Sequence, residues 1–154
     1  MGLRKWVKQN KLEFWILIAI LGFALFLRLS SLGNAPLWVD ESISANTAKA
    51  ITEKGIPEFS SGYIDERAYV FHYIQAFFLL FGINDFTVRL ISVLFGLLTI
   101  ILAYLIGKEY SKSGGLIAAA FTALFYLEVF YSRQARMYQM FQFFFFLTLY
   151  LLYK

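Results

Sequence analysis

Asp40 and Glu41 are adjacent carboxylates lying just beyond the first long apolar run, in the segment Pro36-Leu37-Trp38-Val39-Asp40-Glu41-Ser42-Ile43. A carboxylate held at a water boundary can accept a proton from an incoming hydroxyl, which is the work of a general base. Leu37, Trp38 and Val39 favour that boundary, since an indole prefers a zone where one edge is wet and the other apolar. Asp40 is equally suited to cap the helix that follows, because its oxygens can accept from free amide groups at a helix start. The two roles are compatible.

A second group of residues suits anions. Arg28, Arg89, Arg133 and Arg136 fall at one end of four apolar runs, whereas the opposite flanks use mostly lysine. The planar fork of arginine matches phosphate oxygens in pairs, so these positions predict a phosphate-binding rim close to Asp40 and Glu41. Arg133 and Arg136 are three apart and neighbours if helical. The alternative for each arginine is a headgroup contact or an ion pair with an acid such as Glu128.

His72 is the single histidine and there is no cysteine, so a transition-metal site is not expected. A satisfied interfacial imidazole or a hydrogen-bond donor to substrate suits His72 better. Asp40, Glu41, Asp65 and Glu66 offer oxygen ligands for a divalent cation, although their spacing specifies none. Gln139 and Gln142 are expected to bond between helices, because amides facing lipid are costly.

The elements that position these groups belong to a membrane protein: 60% of the 154 residues are hydrophobic, 20% are aromatic, and mean hydropathy is +0.63. The net charge of +4 resides largely in flanking lysines and arginines, and with no basic stripe or recognition motif nucleic acid is not an expected partner. Arg4, Lys5, Lys8 and Lys11 precede Leu12 to Leu29, which is long enough to cross a bilayer with its N-terminus in the cytoplasm. A cleaved signal peptide is the competing reading, but the apolar run is too long for a usual signal core.

Further spans are predicted at about 87–107, 114–131 and 137–153, giving an all-α integral membrane protein with four transmembrane helices. Residues 34–86 form an outer loop. Within it a helix after Asp40 should put Ile43, Thr47, Ala50 and Ile51 on one side and Glu41, Ser42, Lys49 and Glu53 elsewhere, ending at Gly55. Gly55 to Arg67 reads as a mobile cover. Val70 to Gly82 is too short to span and reads as interfacial, which also keeps the Lys108 and Lys112 loop cytoplasmic.

Several segments together resemble the GT-C glycosyltransferases. They are Arg28 to Leu32, Leu37-Trp38-Val39-Asp40-Glu41, Leu80-Phe81-Gly82 with Phe86-Thr87-Val88-Arg89-Leu90, Ser92 to Gly96, and Tyr131-Ser132-Arg133-Gln134-Ala135-Arg136-Met137-Tyr138. The branch most similar contains protein O-mannosyltransferases and lipid A aminoarabinose transferases. The resemblance implies that the chain is the N-terminal part of a longer multispanning enzyme. Such an enzyme passes a sugar from a polyprenyl-phosphate donor to a lipid, glycan or protein acceptor on the outer face, with inversion.

By the same resemblance the acid pair, Asp40 and Glu41, is catalytic, with Asp40 as general base. Arg133, Arg136, Arg67 and Arg89 would hold the donor phosphate, and His72, Tyr73 and Tyr138 would contact substrate. No cofactor is implied with certainty, and a divalent cation remains an open expectation. The sequence departs from many relatives after Arg67, where Ala68-Tyr69-Val70-Phe71-His72-Tyr73 stands in place of a Pro-Pro-Leu-Tyr-Tyr run. The rival expectations are a non-catalytic membrane subunit or truncated pseudoenzyme of the same fold, and a transporter, which would need charges in mid-span.

Overall fold

A computed structural model describes residues 10–154; the flanking charges Arg4, Lys5 and Lys8 lie outside them. The described residues form helices α1 (Lys11–Leu29), α2 (Val39–Lys54), α3 (Tyr69–Leu79), a 3-10 turn (Thr87–Arg89), α4 (Leu90–Tyr110), α5 (Lys112–Leu124), α6 (Tyr126–Ser132) and α7 (Tyr138–Tyr153). The single departure toward strand among them is an isolated antiparallel bridge between Glu58 and Ile64. The all-α class therefore holds.

Two helices are long and apolar enough to cross a membrane by themselves, Lys11–Leu29 and Thr87–Tyr110, and the pair α5 and α6 makes a third if taken as one bent span. Large side chains on their outer faces, among them Trp15, Phe23, Phe26 and Phe121, are exposed, as expected where the surrounding solvent is lipid. The run predicted as one span at 114–131 is broken by 60° at Phe125. No proline or glycine stands at the break. There the Arg28 guanidinium, which is 0% exposed, donates to the carbonyls of Thr122 (3.4 Å) and Ala123 (3.1 Å), taking acceptors that a continuous helix would use itself. α7 spans 16 residues and runs beside α4, from the Ser92 hydroxyl donating to the Arg136 carbonyl at one end to Lys154 paired with Glu109 at the other.

Three apolar clusters assemble the chain. Leu17, Ala24, Ile100, Tyr104, Ala119 and Ala123 join α1, α4 and α5. Phe71, Ile91 and Phe95 join α3 and α4, with Met137, Met140 and Phe143 packed against them. Ala48, Ile51, Ala76, Leu79, Val88 and Ala135 seat α2 and α3 on the end of the bundle that carries the arginines. Gly55 closes α2 with φ +77°, a left-handed conformation that glycine adopts freely, and its N–H donates to the Ile51 carbonyl. The expected cover, residues 55–67, is tied down by the Glu58–Ile64 bridge and by Asp65, which accepts from Thr47 Oγ1 (3.2 Å) and from Arg67 Nε (3.1 Å).

Candidate functional site

The α2 N-terminus differs from the capping expectation. Trp38, not Asp40, is the residue preceding the helix, and Glu41 in the first turn accepts from the Trp38 N–H at 3.4 Å. Glu41 also differs from its expected outward direction. It is 1% exposed, because its carboxylate meets Arg89, with Nε to Oε1 at 2.9 Å and Nη2 to Oε2 at 2.8 Å, and accepts the Ala135 N–H at 2.7 Å. Periodicity alone sent this acid outward; a buried ion pair brought it in.

Asp40 has the opposite environment. Its side chain is 40% exposed, and the Arg136 guanidinium stands 3.9 Å from Oδ2 while donating to the Asp40 carbonyl and to Ser44 Oγ, each at 3.2 Å. Arg136 Nε is buried without a partner. The same guanidinium lies over the Tyr138 ring, 5.7 Å from its centroid. Tyr138 lines an open cleft with Trp38, Phe130, Tyr131 and Gln134. A second cleft sharing Trp38, Phe130 and Gln134 reaches Arg133 and Arg89. Carboxylate, guanidinium and aromatic faces thus meet at one end of the bundle.

The other expected rim residues separate into distinct roles. Arg89 uses all five of its N–H groups within the chain, on Glu41 and on the carbonyls of Leu32, Ala35 and Pro36, which leaves none for a phosphate. Arg133 donates to the Leu27 carbonyl at 2.6 Å, finishing α1, and still borders the second cleft. Arg28 is interior, as above. Arg67 is 69% exposed and pairs with Asp65. Burial pulls the Asp65 carboxyl up, but hydrogen bonds from Arg67 and Thr47 outweigh it and hold its pKa below the ordinary value.

His72 is buried, with Nδ1 3.4 Å from Gln75 Oε1, and burial pushes its pKa below the ordinary value. Tyr73 is exposed and its hydroxyl donates to the Gly55 carbonyl. Gln139 and Gln142 do bond across helices, both donating to the Glu128 carboxylate. The four acids offered for a cation do not converge. Glu41 is consumed by Arg89 and Asp65 by Arg67 and Thr47, and among the described residues no three histidines, cysteines or acids gather at metal-binding distance.

The family model for dolichyl-phosphate-mannose-protein mannosyltransferases matches residues 66–154, more than half of the chain. The chain belongs to this family. That agrees with the resemblance to glycosyltransferases of the GT-C type. No curated protein and no solved structure matches it. The matched stretch takes in Arg67, His72, Arg89 and the turn carrying Arg133 and Arg136, and starts after the acid pair. Asp40 and Glu41 are joined to it by contact, through Arg89, Ala135 and Arg136.

Sequence reasoning missed that Arg28 and Arg89 are internal clasps. No local signal could have found them, since the carbonyls they clasp lie 94 and 95 residues from Arg28 and 53 to 57 residues from Arg89.

Proposed function

We propose that this protein transfers a sugar, with mannose as the first candidate, from a polyprenyl-phosphate donor to a hydroxyl acceptor at the outer membrane face. Asp40 is the general base. It takes the proton of the acceptor hydroxyl as that oxygen bonds to the anomeric carbon; the bond from that carbon to the phosphate oxygen breaks, and the polyprenyl phosphate departs with the electron pair. Attack opposite the leaving group inverts the anomeric centre. Arg136 meets the phosphate, with Arg133 and Arg67 as further cationic contacts, and Trp38 and Tyr138 offer faces for the sugar.

One observation carries this reading. A partly exposed carboxylate and a guanidinium stand 3.9 Å apart beside an aromatic cleft. A base that solvent reaches, next to a fixed cation, suits an acceptor and a phosphate arriving together. His72 sits against Gln75, and Tyr73 is held on the Gly55 carbonyl.

The corresponding membrane arrangement has four crossings, with α7 as the fourth. It travels beside α4 between Ser92 and Glu109, about 26 Å of helix rise. The N-terminus and the lysine-bearing ends are cytoplasmic, and the arginine-bearing end faces outward.

The test is transfer of radiolabelled mannose from dolichyl-phosphate mannose to a serine- and threonine-bearing peptide in membranes holding the full chain. Asp40→Asn should abolish transfer with membrane insertion intact. Unchanged transfer in that variant removes Asp40 as the base, and no transfer by the unaltered protein with any polyprenyl-phosphate sugar favours a scaffold.

A further inference from the structure

Glu41 stands next to the proposed base, yet its geometry is that of a fastener. Its two oxygens receive four hydrogen bonds: Oε1 from Arg89 Nε and the Ala135 N–H, Oε2 from Arg89 Nη2 and the Trp38 N–H. It borders the second cleft, but at 1% exposure almost none of its surface is open there and both oxygens are already taken. A group that moves a proton to or from substrate must touch it. Glu41 cannot do so without releasing Arg89.

The three segments it joins are far apart in sequence: the start of α2, the 3-10 turn at Arg89, and the turn between α6 and α7. Asp40 is the chain neighbour of Glu41, and Arg136 is the chain neighbour of Ala135. The clasp between 41 and 135 therefore sets the spacing of Asp40 and Arg136, whose chain or ring neighbours Trp38 and Tyr138 line the first cleft. Arg89 extends the same clasp to the loop before α2 through Leu32, Ala35 and Pro36.

We infer that Glu41 is a positioning residue: with Arg89 it fixes the Arg133–Arg136 turn against the α2 N-terminus and so sets the distance between Asp40 and Arg136. This rests on the transferase reading for its consequence in catalysis, but the placement can be measured without activity.

The natural sequence contains no cysteine, so thiols introduced at Trp38 and Gln134, which line the same cleft, report on that placement alone. In the full chain in membranes, a short bis-maleimide should cross-link this pair severalfold more slowly once Glu41→Gln or Arg89→Gln is added. The double variant Glu41→Gln with Arg89→Gln, which leaves no unpaired buried charge, should slow it no further than either single change. In the transfer assay Glu41→Gln should lower kcat/KM for the polyprenyl-phosphate mannose by about 10²-fold, raise the donor KM, and leave the acceptor KM and the acidic limb of the pH profile in place.

Unchanged cross-linking in both single variants overturns the inference. So does loss of the acidic limb in Glu41→Gln, which would make Glu41 itself the titrating group. Slower cross-linking in a protein that transfers no sugar leaves the positioning role standing and removes the transferase reading.

Discussion

The two ends of the helical bundle are held by different chemistry. At one end, lysines make simple ion contacts: Lys108 to Glu13 at 3.2 Å, Lys154 to Glu109 at 2.9 Å, and Lys112 donating to Asn10 at 2.9 Å. What brings α4 and α5 together there is missing side chain. A Cβ on Gly107 would lie 2.6 Å from the Gly114 carbonyl oxygen, and one on Gly115 would lie 2.9 Å from that of Tyr104, so the backbones meet directly. At the other end, Arg28, Arg89 and Arg133 place planar forks on carbonyls freed where α1, the loop before α2 and α5 leave helical geometry.

The difference is one of precision. Glycine contact makes helices close but does not aim any side chain, whereas a fork with several acceptors fixes direction as well as distance. The end that carries the candidate site is the end built with forks.

The sharpest way to break the comparison is at Arg89. Arg89→Gln leaves the Glu41 carboxylate buried and unpaired, a loss of about 3–5 kcal/mol for a pair of this kind. Chemical unfolding of the purified protein in detergent should show that fall. Arg89→Lys should recover little of it, because an ammonium cannot reach Glu41 and three carbonyls together. Full recovery by lysine would mean that charge alone holds this end.

A smaller loss is expected at the opposite end. Gly107→Ala forces a methyl against the Gly114 backbone and should cost about 1–3 kcal/mol. The same variant should leave the cross-linking of cysteines at Trp38 and Gln134 unchanged, since the strain lies at the far end of α4. A change there would show that the two ends are mechanically coupled.

Much of this division could be read from residue types and positions. α1 over Lys11–Leu29 and α7 over Tyr138–Tyr153 lie close to the predicted apolar runs, because long hydrophobic stretches leave few alternatives. The short α3, the Gly55 stop and the Gln139 and Gln142 contacts followed from length, from conformation and from the cost of burying amides. What escaped was decided by partners distant in the chain. Glu41 turns inward for Arg89, 48 residues away, and α5 ends at Leu124 where Arg28 draws off its carbonyls from 94 and 95 residues away. Local pattern contains neither fact. Asp40 and Arg136 were individually visible, but their proximity depends on the Glu41 and Ala135 contact, which no spacing announces.

The arginine end should also respond to pH near neutrality, because the single histidine of the sequence lies there. His72 is held neutral by burial, against the pull of Gln75 and Asp65 and with help from Arg136 and Arg67. With its folded pKa below the ordinary 6.5, the unfolded chain takes up the proton first. Stability is therefore intact above that value and falls as pH drops below it. Asp65 follows a lower window: its folded pKa lies below 3.8, so its contribution is present above 3.8 and is lost as pH falls through the folded value. Detergent unfolding at a series of pH values should show the first decline in the natural protein and its absence in His72→Gln. A decline that persists in the variant assigns it to another group.

The smallest effect belongs to Lys154. Its pair with Glu109 is short at 2.9 Å, but the lysine side chain is half exposed and Tyr150 supplies a second contact through its ring. Water and salt screen such a pair, and holding a flexible ammonium in one place costs entropy that offsets the attraction. Lys154→Ala should leave the unfolding transition where it was, at low and at high salt. If the transition moved, and moved less in high salt, ion pairing would be fixing the end of α7, and the contrast between an aimed end and a merely close-packed end would have to be redrawn.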